Sequence, residues 1–266
     1  MSKFTDRQYL KTDQYRDSSN LDARVAIHKH FSTNPYGWMN WIFDRLLKLP
    51  EDANILELGC GPGYLWQENI SRIPAGWRIT LSDLSSGMLD AAWRNLVVTG
   101  RNFQFKEIDA QSIPFENEAF DAVIANHMLY HVPDRPKGLS EIRRVLKPKG
   151  HLFATTIGES HLKEISIWIR RIHPGTDFVS FGSPFTLDNG LEQLEQFFSQ
   201  VTLARYADSL HVTDVKPILA FIRSTVQASE IWEDEIVKLE SELEQELREN
   251  GRIFISKDSG LFKAIK

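Results

Sequence analysis

The run ILELGCGPG over residues 55–63 constrains the fold of this chain more than any other feature. Its apolar start predicts a buried strand, and Gly59, Gly61 and Gly63 follow at alternate positions. Because glycine lacks a Cβ, such a loop can turn sharply and let a ligand approach the backbone. Glu57 precedes the first glycine by two residues, so the pattern predicts a ligand site where a strand passes into a helix.

The segments around this run alternate between strand and helix. We predict strands over 53–58, 77–83, 102–109, 119–126 and 150–157, and helices over 64–73, 85–97 and 134–147. Strands that alternate with helices over roughly 100 residues predict an α/β fold with a parallel, doubly wound sheet.

The flanking segments lack this rhythm. We predict helices over 21–31, 37–49, 161–172, 187–198, 215–226 and 229–250, a loop over 175–185, a strand over 200–212, and strand or hairpin structure over 252–266. The chain is accordingly divided into an N-terminal helical cap (1–50), a cofactor-binding core (51–157), a substrate cap with C-terminal core elements (158–250) and a last strand or hairpin of the core sheet (251–266).

The glycine spacing distinguishes two classes of adenosine ligand. The dinucleotide fingerprint is G-x-G-x-x-G/A, whose third small residue allows close packing of helix on strand. Tyr64 occupies that position here, and the third glycine comes one residue early. A carboxylate at Glu57 would repel a pyrophosphate and attract a cationic ammonium group. The pattern therefore favours S-adenosylmethionine over NAD, and no P-loop sequence is present.

Composition argues against several other classes of protein. Of the 266 residues, 42 % are apolar and 25 % are charged, as in ordinary globular domains. Lys and Arg total 31 against 36 Asp and Glu, and this acidic surplus disfavours nucleic acid as a partner. It does not exclude nucleic acid, because residues 229–250 carry a net charge of −7 and the rest of the chain is about +2.

Cysteine content and hydropathy indicate the cellular compartment of the protein. Cys60 is the only cysteine, so we predict no disulfide within the chain, no cysteine-based cluster and no metal. No apolar run is long enough to span a bilayer, and the polar N-terminus lacks the apolar core of a secretory signal. We therefore predict no membrane insertion and a cytoplasmic location.

Four motifs, in order, resemble those of the class I, Rossmann-like S-adenosylmethionine-dependent methyltransferases. The first is ILELGCGPG, and LSDLSSGML, IDAQSIPF and FDAVIANHMLYHVPD follow it. The similarity covers about residues 50–157. It is strongest to the small-molecule branch, which includes quinone-biosynthesis C-methyltransferases and glycine methyltransferases.

This resemblance implies a seven-stranded, mostly parallel sheet with a helical cap built from N-terminal residues and from insertions after the fifth strand. It also implies S-adenosylmethionine as methyl donor and S-adenosylhomocysteine as product. In the family, the acid at Asp83 binds both ribose hydroxyls, Asp109 lies near the adenine amino group, and Met88 packs on the adenine. The full set of cofactor positions implied in the core is Glu57, Gly59, Gly61, Gly63, Asp83, Leu84, Met88, Asp109, Ala110, Asn126 and His127.

The N-terminal segment resembles the corresponding region of the glycine methyltransferase branch, where an aromatic residue and an arginine close over the methionine end of the cofactor. Tyr15 and Arg24 are the residues that match here. Arginine is always charged and can form two parallel hydrogen bonds with a carboxylate. Arg24 is therefore expected at the cofactor carboxylate, with an exposed helix arginine as the alternative.

Two histidines follow the fourth predicted strand. A base is needed only where the acceptor must lose a proton, and imidazole titrates near neutrality. We predict His131 as a candidate catalytic base, with a structural hydrogen bond as the alternative. For His127, a backbone contact to the cofactor is favoured over a catalytic role.

Side chains outside the core are candidates for contacting the methyl acceptor. The insertion after the fifth predicted strand offers four aromatic and four basic side chains, and the N-terminal helices offer three more aromatics. They are Trp168, Phe178, Phe181, Phe185, His161, Arg170, Arg171, His173, Phe31, Trp38 and Trp41. The alternative is that the aromatic residues simply pack the cap.

Together these observations predict a methyltransferase that moves a methyl group by in-line displacement to O, N or C of a small metabolite, as a monomer or homodimer. Two alternatives stay open. One is a methyltransferase for RNA or protein, although Asn126-His127-Met128-Leu129 differs from the N/D-P-P-Y/F sequence common in nucleic-acid N-methyltransferases. The other is a non-catalytic cofactor-binding protein of the same fold.

Overall fold

The computed structural model describes residues 3–173, 184–226 and 231–266, and within them the chain forms nine strands. These are β1 (Asn54–Leu58), β2 (Arg78–Asp83), β3 (Gln104–Glu107), β4 (Phe120–Asn126), β5 (Leu146–Ile157), β6 (Ser199–Tyr206), β7 (Ser209–Val212), β8 (Ile253–Ser256) and β9 (Ser259–Ile265). Seven of them form one sheet in the order β3-β2-β1-β4-β5-β9-β6, and β7 pairs with β8 in a second sheet.

Helices surround both sheets. They are α1 (Arg7–Tyr9), α2 (Ser19–Phe31), α3 (Trp38–Leu46), α4 (Tyr64–Glu68), α5 (Ser86–Val97), α6 (Arg135–Val145), α7 (Lys163–Ile172), α8 (Gly190–Glu195), α9 (Val215–Arg223) and α10 (Glu233–Asn250). Single turns of 3-10 helix occur at Lys3–Thr5, Ile70–Arg72 and Leu129–His131, and Leu10–Gln14 is a π-helical segment.

The seven-stranded sheet is mostly parallel, as the sequence predicts. Strands β1 to β5 run parallel to their neighbours, whereas β9 is antiparallel to both β5 and β6. Its central strands are apolar almost throughout because helices cover both faces and leave neither face to water. The carboxyl ends of the parallel strands meet at one edge of the sheet, where α/β proteins bind ligands.

Among the predicted elements of the core, the boundaries around Pro148 and after β1 differ most from the structure. The predicted helix over 134–147 ends at Val145, and β5 begins at Leu146 instead of residue 150. Pro148 explains the difference, because a residue that precedes proline is biased towards extended backbone. The predicted helix over 64–73 is only α4, followed after Asn69 by one 3-10 turn.

The C-terminal third of the chain departs further from the prediction. The single strand expected over 200–212 is two strands, β6 and β7, which belong to different sheets. The chain turns between them at Asp208, whose carboxylate accepts the backbone N–H of Asn34 over 3.0 Å. Of the strand or hairpin predicted for 251–266, the strand is present as β9, which lies in the main sheet between β5 and β6, whereas β8 pairs with β7 and forms no hairpin with β9.

The second sheet and four helices form a separate apolar cluster beside the main sheet. Residues of α2, α7, α9, α10, β7 and β8 contribute to it, and Ile27 of α2 is completely buried there. Helix α10 begins at Glu233, and Ser229 and Glu230 lie outside the described residues. Within the described ranges, no helix combines the length and the apolar character needed to cross a membrane.

Candidate active site

The predicted site residues converge on one cavity of about 720 Å³ at the carboxyl edge of the main sheet. Of the predicted cofactor-binding and catalytic residues, all except Gly63 line it. The lining residues from the prediction are Tyr15, Arg24, Glu57, Gly59, Gly61, Asp83, Leu84, Met88, Asp109, Ala110, Asn126, His127 and His131. The chain thus brings together residues that follow β1, β2, β3 and β4 with two that belong to the N-terminal segment.

The glycine loop between β1 and α4 forms part of the cavity wall. Gly59 has a φ of 66°, and a Cβ placed there would lie 2.8 Å from the Cβ of Met128. Gly63 has a φ of 78°, and its Cβ would lie 2.9 Å from a methyl group of Leu96. Any side chain at either position would therefore collide with its neighbour. Gly59 shapes the cavity, whereas Gly63 lets α4 pack closely against α5.

Glu57 is a buried carboxylate at the end of β1, with 2 % of its surface exposed. Its Oε2 accepts the indole N–H of Trp66 over 2.5 Å, and its Oε1 accepts the amide N–H of Asn126 over 2.9 Å. Burial raises the pKa of Glu57 to about 8 despite these two bonds. A cation in the cavity would favour the ionised form of this carboxyl.

Asp83 ends β2 and lies beside Glu57 along the edge. Its Oδ2 accepts the N–H of Gly61 over 3.0 Å, and its Oδ1 accepts the N–H of Ser85 over 2.9 Å. These bonds fix the carboxylate against the glycine loop, and burial raises the pKa of Asp83 to about 6. Each carboxylate oxygen has more than one lone pair, so Asp83 can still accept hydrogen bonds from a ligand.

Asp109 lies beyond β3 at the end of the acidic row. Its Oδ2 forms an ion pair with Arg7 at 2.8 Å, and its Oδ1 accepts the backbone N–H of Gln111 over 3.0 Å. Lys11, in the same N-terminal segment, pairs with Glu107 of β3. Residues 3–18 therefore cross the cavity, and two ion pairs hold them to β3 and to the residues that follow it.

His131 holds residues 3–18 in place by two further hydrogen bonds. Its Nδ1 lies 2.8 Å from the carbonyl oxygen of Phe4, which can only accept a hydrogen bond, so the proton of the neutral ring is on Nδ1. The Nε2 atom then accepts from the hydroxyl of Tyr15 over 2.9 Å. Burial lowers the pKa of His131 to about 4, which keeps the ring neutral at pH 7.

Arg24 of α2 approaches the cavity from the cap. Its guanidinium lies over the ring of Tyr15 at 5.5 Å, and one terminal nitrogen donates to the carbonyl of Ser224 over 2.6 Å. The other terminal nitrogen is buried without a hydrogen-bond partner in the described part of the chain. A buried guanidinium nitrogen with no acceptor is suited to an anionic group of a ligand.

Three basic side chains line the cavity beyond β4: His28 of α2, His161 in the loop after β5, and Lys257 in the loop before β9. Sequence reasoning included His161 but missed the other two. For His28 a signal existed, since it follows Arg24 by four residues and lies on the same face of α2. For Lys257 none existed, because its position depends on the pairing of β9 with β5.

Most of the predicted acceptor contacts outside the core do not reach the cavity. Trp168 packs in the apolar cluster of the cap, and Phe185 packs against Phe262 of β9 in the core. Arg171 pairs with Glu242, and His173 pairs with Glu235. Phe178 and Phe181 lie outside the described residues.

In the N-terminal helices, Trp38 lines the cavity and stacks on Trp41. Phe31 packs against the apolar cluster of the cap. Of these three aromatic residues, only Trp38 belongs to the cavity wall, so the alternative interpretation as packing holds for the other two.

Known proteins resemble the chain most in the segment that builds this edge. Residues 56–154 match a family model described as a methyltransferase domain. A malonyl-[acyl-carrier protein] O-methyltransferase of Legionella pneumophila is 34 % identical over 130 residues, which is 47 % of this chain and 43 % of the relative. A demethylmenaquinone methyltransferase of Lactobacillus johnsonii is 32 % identical over 145 residues, or 51 % of this chain and 58 % of the relative. The chain thus spans about half the length of these curated relatives.

Solved structures share the fold over a greater length. Phosphoethanolamine N-methyltransferase 2 of Haemonchus contortus, in complex with S-adenosyl-L-methionine, superposes with a TM-score of 0.60 at 21 % identity, covering 100 % of this chain and 60 % of that one. The strand order, the motifs at the carboxyl edge and the family match agree with one another. Residues 56–154 are therefore similar to the methyltransferase domain family, and the strand order around them is that of a Rossmann-like fold.

Proposed function

We propose that this chain is an S-adenosylmethionine-dependent methyltransferase that acts on a small metabolite. The observation that carries the proposal is the row of carboxylates Glu57, Asp83 and Asp109 along the ends of β1, β2 and β3, beside the glycine loop. A row of this kind suits a cationic nucleoside and opposes a diphosphate. The names of the relatives support methyl transfer, since both are methyltransferases.

The side chains present fit this cofactor. A Cβ at Gly59 would collide with Met128, so the loop has bare backbone at this point and a ligand can approach it. The unpartnered nitrogen of Arg24 suits a carboxylate. Glu57 would hold the ammonium group, Asp83 the ribose hydroxyls, and Asp109 with Met88 the adenine. When bound, S-adenosylmethionine supplies an electrophilic methyl group on a positively charged sulfur.

The contribution of the chain to the reaction is alignment, exclusion of water and removal of a proton. Residues 3–18 close the cavity over the carboxylate row, and closure of this kind keeps water from the reacting atoms. Holding an acceptor at the correct angle contributes much of the acceleration in a direct displacement. Where the acceptor loses a proton, Nε2 of His131 is the base and receives the proton through the hydroxyl of Tyr15, which occupies its lone pair.

We also propose the size of the acceptor, the cellular location and the oligomeric state of the enzyme. A small acceptor agrees with the cavity volume of about 720 Å³, which also has to hold the cofactor. We expect a cytoplasmic enzyme that works as a monomer or a homodimer, and the single cysteine agrees with a reducing compartment. Sedimentation of the purified chain measures the oligomeric state.

Two measurements test the function. Isothermal titration with S-adenosylhomocysteine, NADH and FAD establishes the ligand class, and a panel of metabolites incubated with methyl-labelled donor establishes turnover. We expect binding of S-adenosylhomocysteine alone and transfer of label to at least one metabolite. Stoichiometric binding of NADH or FAD without S-adenosylhomocysteine would overturn the proposal. Tight binding with no transfer to any metabolite, RNA or protein substrate would indicate a non-catalytic protein.

A further inference from the structure

The cavity is divided by charge along the order of the strands. The carboxylates Glu57, Asp83 and Asp109 follow β1, β2 and β3, whereas His161 follows β5 and Lys257 precedes β9. In the sheet, β1 and β9 are three strands apart, which separates the two ends by roughly 14 Å at the usual strand spacing. The acidic end and the basic end are therefore different subsites of one cavity.

The basic end consists of His28, His161 and Lys257, which come from three separate segments. The rings of His28 and His161 lie 5.9 Å apart between centroids. Burial lowers the pKa of both, to about 3 for His28, and the charge of Lys257 acts in the same direction on each. Both imidazoles are therefore neutral at pH 7, and Lys257 carries the positive charge of this end.

The imidazoles of His28 and His161 differ in their hydrogen bonds to the rest of the chain. Nδ1 of His161 accepts the backbone N–H of Asp258 over 3.1 Å, so the proton of the neutral ring is on Nε2. Nδ1 of His28 is buried and has no hydrogen-bond partner among the described residues. Both rings line the cavity, and each can donate to an acceptor placed between them.

Lys257 adds a positive charge to the same wall. Its ammonium pairs with Asp208, and the two side chains are 7 % and 0 % exposed. Lys257 lines the cavity whereas Asp208 does not, so the aspartate lies behind the ammonium. Within the described residues, the carboxylates that line the cavity follow β1, β2 and β3 or lie on α4, and none comes from the segments that carry His161 and Lys257.

We propose that the basic end, formed by His28, His161 and Lys257, binds an anionic oxygen group of the methyl acceptor, either a carboxylate or a phosphate. The proposal rests on the proposed function, because it treats the acidic end as the cofactor subsite. An anionic group would accept hydrogen bonds from both imidazoles and be attracted by the ammonium of Lys257, which Asp208 holds from behind. Trp38, on the wall nearer His127, leaves an apolar surface for the body of the acceptor.

The test uses small fluorinated probes and the full chain saturated with S-adenosylhomocysteine. Dissociation constants of 4-fluorobenzoate, 4-fluorophenyl phosphate and the neutral 4-fluorobenzamide are measured by fluorine NMR. We expect at least one anion to bind about tenfold more tightly than the amide, which is the usual scale of one charge-assisted hydrogen bond. The tighter of the two anions identifies the source as a carboxylate or a phosphate. Equal binding of all three probes to the unmodified chain would overturn the proposal.

Substitutions at the two histidines test whether the preference for anions arises at the basic end. His28→Leu and His161→Leu are expected to bring the anion-to-amide ratio to within about threefold while S-adenosylhomocysteine binds as before. His30→Leu, on the exposed side of the same helix α2, is the matched control and should keep the full ratio. If a leucine variant does not fold, His28→Gln is measured instead, because glutamine retains a hydrogen-bond donor of similar size. The comparison of the three probes on the unmodified chain then still tests the proposal.

The outcomes separate the two proposals. Failure of S-adenosylhomocysteine to bind the unmodified chain would contradict the proposed function. Normal binding of S-adenosylhomocysteine with no preference for anions would contradict only the anion subsite. Loss of S-adenosylhomocysteine binding in His28→Leu would also contradict it, since His28 would then belong to the cofactor subsite.

Discussion

The hydroxyl of Tyr15 donates a hydrogen bond to Nε2 of His131 across 2.9 Å, although the two residues are 116 positions apart in the chain. Because Nδ1 of the same ring donates to the carbonyl of Phe4, one imidazole is bound on both sides by the N-terminal segment. His131 therefore has two roles that experiments can separate: it holds residues 3–18 over the cavity, and it offers a basic nitrogen next to a hydroxyl.

Removal of the imidazole at His131 is predicted to affect turnover more than cofactor binding. We expect His131→Ala to lower turnover by roughly 10²–10⁴, the usual range for loss of a general base. The affinity for S-adenosylhomocysteine should fall by a smaller factor, because the variant loses the two hydrogen bonds that hold residues 3–18 over the cavity but leaves the row of carboxylates intact. Steady-state kinetics use the acceptor that the labelled-donor panel identifies, and titration calorimetry gives the affinity.

Tyrosine variants provide the control for this prediction. Tyr15→Phe removes the hydroxyl that contacts His131 and is expected to lower turnover as well, whereas Tyr9→Phe removes a hydroxyl outside the cavity and should not. Unchanged turnover in His131→Ala, with normal binding, would show that the imidazole serves only to anchor the N-terminal segment.

Asp83 is predicted to contribute to cofactor affinity. Asp83→Ala should weaken binding of S-adenosylhomocysteine by about 1–3 kcal/mol, because the ribose hydroxyls would lose their acceptor in a buried place. The variant also leaves the N–H groups of Gly61 and Ser85 without their present partner, so thermal unfolding is measured beside calorimetry. Asp90→Ala, an exposed acid on α5, is the control. Equal affinities of the two variants would remove Asp83 from the cofactor subsite.

The acidic half of the cavity could be predicted from the sequence because its residues are local to the strand ends. Glu57 and Asp83 follow parallel strands directly, and parallel strands end at one edge whatever the rest of the chain does. Alternation of strands and helices fixed the order of the core elements for the same reason. Each of these inferences needs only neighbours in the sequence.

The basic half could not be predicted, because its residues meet only through long-range pairing. Lys257 reaches the cavity because β9 inserts between β5 and β6, whereas the sequence predicts only a strand or hairpin over 251–266 without the strands that it pairs with. The split of 200–212 into β6 and β7 likewise depends on Asp208, whose partners include Lys257 in a distant loop. No local pattern encodes contacts of this kind.

Cofactor affinity is predicted to rise with pH up to about pH 8. Burial raises the pKa of Glu57 to about 8, so below that pH the ligand-free carboxyl is protonated and must release its proton to face an ammonium group. Each pH unit below 8 then costs about 1.4 kcal/mol of binding free energy. The dissociation constant of S-adenosylhomocysteine should fall about tenfold per unit between pH 6.5 and pH 7.5.

The stability of the ligand-free chain should change in the opposite direction. The pKa of Glu57 is raised from 4.5, so its contribution to folding is complete below that value and is lost as pH rises towards 8.

Glu57→Gln is expected to abolish the pH dependence of binding in this range, and the exposed Glu116→Gln is expected to preserve it. A pH-independent affinity in the unmodified chain would show that Glu57 does not face the ammonium group.

Gly87 is predicted to be the position on which closure of the N-terminal segment depends. A Cβ there would lie 1.8 Å from the carbonyl oxygen of Arg16, so Gly87→Ala forces the segment away from α5. If the collision costs about 1 kcal/mol, the open population rises about fivefold. Trypsin should then cleave after Lys11 and Arg16 correspondingly faster, and S-adenosylhomocysteine should dissociate faster. Ser86→Ala, at the neighbouring exposed position, is the control, and equal cleavage rates in both variants would show that residues 3–18 do not rest on Gly87.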